Sequence, residues 1–397
     1  MSYLADNAHL LIKPEATAGT SVIPTIVVPL VSENIKTVVN HSPDRRMKGL
    51  PWKGNDLLRG VRSHEGDIVV LADPDTLGHF LNMVMAKGST TGDATDGYTH
   101  PFTVAAPKTY TIEIKKGLYT QRYSGVNIDT LKLDFQEGQM TITASIKAMS
   151  QFSVASVGVA LTGAGMTSLT LDDEYDISPN KGLVANDIIV VGGVELTLTS
   201  VNANGFAVSF ASTTVTAAIG AAVYLKPQTI SQPTLQDPFY FGNLLVGFGV
   251  DASAAATAAA SLSVATPIYD LSITLKNNLF AANGTGRFDP VFIGARSKEG
   301  QIALKQLFET VTARQAFQDR VKQAIVIKCR GKYIKADFST QELLTLTFNK
   351  VKQMTHDHAL TIGDFIMDDR AFEVLYDDSD GAAMSASLVN RTAGTAY

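Results

Sequence analysis

Alternation of apolar and polar residues with a period of two runs through most of the chain. Tyr110, Ile112 and Ile114 share one face, as do Leu131, Leu133 and Phe135, and then Met140, Ile142, Ala144 and Ile146, with Thr141, Thr143, Ser145 and Lys147 opposite. Farther on, Leu344, Leu346 and Phe348 alternate with Thr345, Thr347 and Asn349, and Phe372, Val374 and Tyr376 repeat the pattern. Successive strand side chains point to opposite faces, so this pattern predicts antiparallel sheets buried on one side. Helical spacing is rarer. Asp73-Pro74 offers a capping carboxylate and a first-turn proline, and Leu77, Phe80, Leu81, Val84 and Met85 follow as one stripe closed by Gly88. A weaker helix is expected near Leu304 to Val321, on Leu307, Phe308, Val311 and Phe317.

One stretch occurs twice. Gly60 to Ile68 reads GVRSHEGDI and Gly294 to Ile302 reads GARSKEGQI, 234 positions apart. Ile112-Glu113-Ile114-Lys115 parallels Ile325-Val326-Ile327-Lys328, and Leu131 to Phe135 parallels Leu344 to Phe348, both at an offset of 213. A Gly/Thr/Asp/Pro-rich loop insertion in the first half, Gly88 to Lys108, reconciles the two offsets. The chain therefore reads as a tandem duplication of one β-rich unit, with Gly60, Arg62, Glu65 and Gly66 answered by Gly294, Arg296, Glu299 and Gly300 as the repeated structural motif. The expected fold is mainly β: two β-sandwich or barrel units over 1–153 and 229–397, each with a flanking helix, and a small all-β barrel inserted over 154–228. Short apolar runs separated by turns such as Gly192-Gly193 mark the insert. Residues 1 to about 30 read as an arm that finishes its packing on a neighbouring subunit, or else as a mobile terminus, and Asp251 to Thr266, laced with Ala, Ser and Thr, as a flexible loop.

Composition narrows the function. With 18% charged and 45% hydrophobic residues the chain of 397 is folded, and its net charge of −5 argues against binding nucleic acid by neutralising phosphate, though not against a duct through which DNA slides. The single cysteine, Cys329, sits in a strand pattern and reads as a buried small hydrophobe, which excludes an internal disulfide framework. Neither a signal peptide nor an apolar run of membrane-spanning length is visible, and the chain is expected to be soluble and made in the cytoplasm. No phosphate-binding loop, nucleophile elbow or zinc-protease motif occurs. His356 and His358 lack an indicated third ligand, Asp377 to Gly381 lacks the glutamate of a calcium loop, and Lys328, Arg330 and Lys332 read as a charged strand face. No catalytic, cofactor or metal role is assigned to any residue. The loop HSPDRRMKGLPWKGND carries Arg45, Arg46, Lys48, Lys53 and the lone Trp52; long loops of this kind are usually functional or disordered, and Trp52 reads as an interface anchor or as folded back on its own domain.

A resemblance follows from particular residues: Glu15-Ala16-Thr17-Ala18-Gly19-Thr20 leading into Pro24 and Pro29 to Glu33; Glu65-Gly66-Asp67-Ile68 followed by Asp73-Pro74-Asp75; and Tyr98-Thr99-His100 before Arg122-Tyr123-Ser124-Gly125. Together they resemble the tail tube, or major tail, proteins of long noncontractile-tailed bacteriophages, over nearly the whole chain outside 154–228. The resemblance implies a structural virion protein, assembled in the host cytoplasm, whose β-sandwich units form rings with a continuous inner β-barrel. Rings stack through arms and a long loop, with 39 to 56, and hence Arg45, Arg46, Lys48, Trp52 and Lys53, and its counterpart 277 to 290 as the stacking candidates. It also implies a tape measure protein, tail tip and tail terminator as partners, with DNA passing through the lumen without specific binding and no membrane contact. Relatives with one unit per chain form hexamers; two units per chain imply a homotrimer with pseudo-sixfold symmetry, the homohexamer being the alternative. Rival readings are a capsid decoration or baseplate protein, and a carbohydrate-binding β-sandwich.

Overall fold

The computed structural model of the chain describes residues 8–43, 57–58, 60–135, 138–172, 182–202, 206–230, 235–260, 268–285, 287–307, 312–335, 337, 339–359, 366–394 and 397. Leu10–Pro14 (β1) lies between Ile26–Val28 (β2) and the later strand at 110–114, with Leu10, Leu11 and Ile12 all buried. The expected arm thus packs on its own chain from residue 10, because three consecutive apolar residues find partners on both edges there. Glu15 closes the strand from inside: its buried carboxylate accepts the Gly19 and Gly125 N–H groups and the Thr111 hydroxyl, each at 2.8 Å. Ser32–Glu33 (β3) and Lys36–Val39 (β4) form one broken edge strand, and Ser42–Pro43 (β5) pairs with Leu57–Leu58 (β6) at the neck of the long connection. Both lead to Arg62–Leu71 (β7), along which β3 and β4 lie.

Pro74–Val84 (α1) is the helix expected there, and Asp73 accepts the Asp75 N–H at 2.8 Å as its cap. Ala86–Lys87 (β8) leads into the stretch read as a loop insertion, which is ordered instead into Thr91–Asp93 (β9) and Gly97–Thr103 (β10), because β10 pairs with residues 385–390 near the far end of the chain. Tyr110–Lys116 (β11), Tyr119–Phe135 (β12), Thr141–Ala148 (β13) and Ser150–Phe152 (β14) complete the first half. β12 pairs with β11 from Tyr119 to Val126 and with β13 from Asn127 onward, with a bulge at Asp129 inside the second ladder.

Val154–Val157 (β15), Leu161–Asp172 (β16), Ile188–Val191 (β17), Val194–Val201 (β18), Ala207–Ala217 (β19) and Ala222–Leu225 (β20) close into a barrel with a core of its own, including Leu171, Ile189, Leu198 and Val223. The Leu225 N–H reaches the Ser153 carbonyl at 3.4 Å, so the chain enters and leaves the barrel side by side.

The second half begins with Leu244–Gly249 (β21) and Ala252–Ala258 (α2). That helix replaces the first part of the expected flexible loop, whose residues 261–266 lie outside the described residues. Its small alanines, Ala255 and Ala259, bury against Leu245, Ala324 and Val326, and Asp251 caps it through the Ala254 N–H at 2.8 Å. The approach depends on glycine: a Cβ on Gly247 would stand 2.2 Å from the Ala255 carbonyl oxygen. Asp270–Lys276 (β22), Leu279–Asn283 (β23), Pro290–Ala295 (β24) and Glu299–Leu307 (β25) follow, then Thr312–Gln318 (α3), Gln323–Tyr333 (β26), Gln341–Ala359 (β27), Met367–Val374 (β28) and Met384–Asn390 (β29). The weak helix is shorter than expected. Ile302 and Leu304 alternate with exposed Ala303 and Lys305, so the strand continues through Leu307 before α3 begins.

The two halves trace the same path, β3/β4–β7–β13–β12–β11 and β22–β25–β28–β27–β26, and share one hydrophobic core. The motif copies run into β7 and β25, with Gly294 still at the end of β24, and the bulge at Asp129 is answered by one at Met354 in β27. One expected correspondence moves. Leu344 to Phe348 pairs with β26 and β29 in the first part of β27, whereas Leu131 to Phe135 pairs with β22 in the last part of β12, and with the two bulges aligned the counterpart of 131–134 is 356–359. A period of two looks alike at every even offset, which is how the two stretches come to match out of phase.

Candidate assembly surface

The repeated motif builds the junctions between strands. At Gly60 a Cβ would stand 1.9 Å from the Asn40 carbonyl oxygen, and at Gly66 2.5 Å from the Ile35 Cα, so both glycines let the β3–β4 edge lie directly on β7. Gly294 and Gly300 meet only side chains, the Phe292 ring at 2.4 Å and a Val374 methyl at 2.9 Å. Arg62 pairs with Asp289 at 2.9 Å, and the same carboxylate meets buried His64 at 3.0 Å, so the β23–β24 hairpin of the second half clasps β7 of the first. Arg296 instead lies over the Phe280 ring at 4.3 Å. Glu65 stands opposite Lys36, and Glu299 opposite Lys276, in matching positions on the two strands. Arg45, Arg46, Lys48, Trp52 and Lys53 lie outside the described residues.

The main sheet crosses from one half to the other. Thr130 to Phe135 of β12 pairs antiparallel with Leu271 to Lys276 of β22, making a seam between β13 and β25. Other contacts close this seam from behind. Lys298 reaches over to the last turn of α1 and donates to the Val84 carbonyl at 3.0 Å, β29 pairs with β10, and Tyr397 packs between His79 and His100 with its hydroxyl donating to the Asp75 carbonyl at 3.0 Å. Burial lowers the His79 pKa to about 3, which keeps that ring neutral. At the two outer ends the sheet stops differently. Among the described residues no strand pairs with the outer edge of β3–β4 or with the free edge of β27 beyond Val351, and Val31, Val38 and Met354 are exposed there.

Arg122, which carries no expectation of its own beyond the resemblance, is the most heavily engaged buried charge. Its guanidinium bonds Asp187 of the barrel at 2.6 and 2.7 Å, Glu113 at 2.9 and 3.1 Å, and the Gly182 carbonyl at 3.0 Å, all of it buried. Burial disfavours the charged guanidinium, but the carboxylates outweigh it and hold its pKa above the ordinary value; burial also pushes Glu113 up. The barrel is thereby fixed to β12. Nothing in the sequence around Arg122 announces this contact, because its partner Asp187 lies far along the chain in the barrel.

The charged face of β26 is explained by α2, since Lys328 and Arg330 donate to the Ala256 and Ala260 carbonyls at its C-terminal end. Cys329 is fully buried, and burial raises its thiol to about 12. His356 is buried beside Asp368 at 3.3 Å and stacks on Phe317. Asp377 accepts the N–H and hydroxyl of Ser379 within its own turn, at 3.0 and 2.6 Å.

An all-β chain with a duplicated sheet, an added barrel and open edges has the make-up of a building block. Residues 5–332 match the phage tail tube protein family. The chain belongs to that family. No curated protein matches it. Membership makes this a structural protein of the virion tail, as the residues around Glu15, Glu65, Asp73 and Arg122 imply. In this tail tube protein those residues form the Glu15 closure, the β7 junction, the α1 cap and the barrel dock. None of the described helices is long and apolar enough to cross a membrane.

Proposed function

We propose that the chain polymerises as stacked homotrimeric rings of pseudo-sixfold symmetry, forming the tube that conducts DNA from capsid to host, with residues 1–153 and 229–397 as its two tube units. The observation that carries this is the β12–β22 seam together with the two open ends, which are of the same kinds as the strands meeting there. Each chain holds one complete unit-to-unit joint and the two halves of another. Three copies joined end to end by that second joint close six units into a ring. The lumen is then the polar face of the sheet, where the carboxylates Glu65, Asp67, Asp134, Asp270, Glu299, Asp357, Asp369 and Glu373 outnumber Lys36, Lys132, Lys147, Lys276, Lys305 and Lys352. An acidic wall repels phosphate, so DNA passes without sticking. The exposed Phe280 and Phe292 of the β23–β24 hairpin suit ring-to-ring stacking, alongside the loop bearing Arg45, Arg46, Lys48, Trp52 and Lys53. A tape measure protein, tail tip and tail terminator complete the assembly.

The inserted barrel, 154–228, sits in this reading on the outer wall, since it docks through Arg122 on the β11–β12 side. Joining Ser153 to a point just past Leu225 by a short linker is expected to leave tubes of smaller diameter by electron microscopy. A truncated chain that folds and no longer polymerises under the same conditions overturns the outer placement. The ring itself is tested by counting chains in end-on views of tubes.

A further inference from the structure

The seam inside the chain is apolar on its core side. Leu131 stands opposite Leu275 and Leu133 opposite Ile273, all four buried. The two open ends can be matched to that seam residue by residue. The bulges at Asp129 and Met354 align β12 with β27, which sets His356 and His358 at the positions of Leu131 and Leu133. On the other side, Ser32 and Lys36 stand against Val69 and Glu65 of β7 as Ser272 and Lys276 stand against Ala303 and Glu299 of β25. Glu33 and Ile35 therefore take the positions of Ile273 and Leu275. Three of the four apolar residues of the inner seam are ionisable at the outer ends.

We infer that the surface joining one chain to the next is a histidine–carboxylate seam: the Ser32–Lys36 edge of one copy pairs antiparallel with the Thr355–Ala359 edge of a second copy, with Glu33 opposite His358, Ile35 opposite His356 and Lys36 opposite Thr355. It rests on the ring reading above and names the residues that close the ring. Continuity with the inner seam supports it, since both edges carry on the β12–β22 register across to a second copy. In the free chain Glu33 faces Lys116 at 2.9 Å and His356 faces Asp368 at 3.3 Å, so joining the copies brings these groups into new surroundings. The two seams differ in kind for a physical reason. An apolar seam suits strands of one chain, which never separate, whereas an apolar open edge on a free chain would pair indiscriminately. Ionisable residues, already paired in the free chain with Lys116 and Asp368, give little reward to an arbitrary apolar strand and favour the partner whose register sets Glu33 against His358.

The experiment uses full-length chain carrying Ile35→Cys and His356→Cys, assembled into tubes and treated with a short thiol cross-linker. Cys329 is fully buried and contributes little background. Covalent trimers on a denaturing gel, absent from either single variant, are expected. In parallel, Glu33→Lys is expected to cut tube yield at least tenfold, since roughly 1.4 kcal/mol lost at a joint is tenfold in its equilibrium, with the free chain still folded by circular dichroism although its Lys116 pair is lost, and His358→Glu in the same chain is expected to restore the yield. Tubes that form without the cross-link, or Glu33→Lys assembling at the parent yield, overturn the seam and leave the ring reading standing. Parent chain that forms no tubes even with tail-tip components overturns both.

Discussion

Arg122→Ala is expected to cost about 3–5 kcal/mol of stability, the largest effect of any single substitution proposed for this chain, because it strands the carboxylates of Glu113 and Asp187 in a buried site. Lost attraction is the smaller part of that figure; desolvated charge left without a partner is the larger. The loss should begin at the barrel, whose attachment to β12 runs through this guanidinium. Limited proteolysis is expected to cut both near Ser153 and just past Leu225, releasing the barrel well before the main sheet unfolds. Replacing Arg122, Glu113 and Asp187 together by apolar residues of similar volume should recover most of the stability, since nothing ionised then remains buried. Denaturant unfolding of both variants checks this, and a loss below about 1 kcal/mol for Arg122→Ala, the range of an exposed pair, contradicts the buried-network account.

Gly66→Val is expected to abolish tube formation. A Cβ there would lie 2.5 Å from the Ile35 Cα and 2.8 Å from the Asn34 carbonyl oxygen, both backbone atoms that cannot rotate away. β3 and β4 must then shift off β7, at a cost of about 1–3 kcal/mol for overpacking. The fold survives, because the core behind β7 is formed by Ile68 and Val70, but the edge offered to a neighbour is displaced. Its counterpart Gly300→Ala meets only a Val374 methyl and should assemble close to normally. Electron microscopy of the two variants, with circular dichroism to establish folding, separates these outcomes. Equal tube yields would mean that the β3–β4 edge takes no part in assembly.

Much of this architecture is legible in the sequence, for identifiable reasons. Thr141 to Ala148 alternates because one face is buried, and Asp73-Pro74 announces α1 through local capping chemistry. α2 is hidden because a helix that nestles over Gly247 and Gly249 needs small residues and shows no apolar stripe. The 88–108 segment reads as a loop because β10 finds its partner in β29, and a pairing across such a separation leaves no local trace. The same holds for the assembly surface. Repetition exposes Gly60, Gly66, Gly294 and Gly300, whereas the Arg122–Asp187 contact and the placement of Lys298 on the α1 carbonyl depend on which elements meet. The open edges follow only from knowing which strands lack a neighbour.

The most direct test of the central claim is averaging of end-on electron-microscopy views of tubes assembled from the purified chain, with tail-tip components supplied if nucleation requires them. The account predicts a hollow ring of three chains, six similar β units around the lumen and three barrels outside. A ring of six chains, with twelve β units around the lumen, would contradict it.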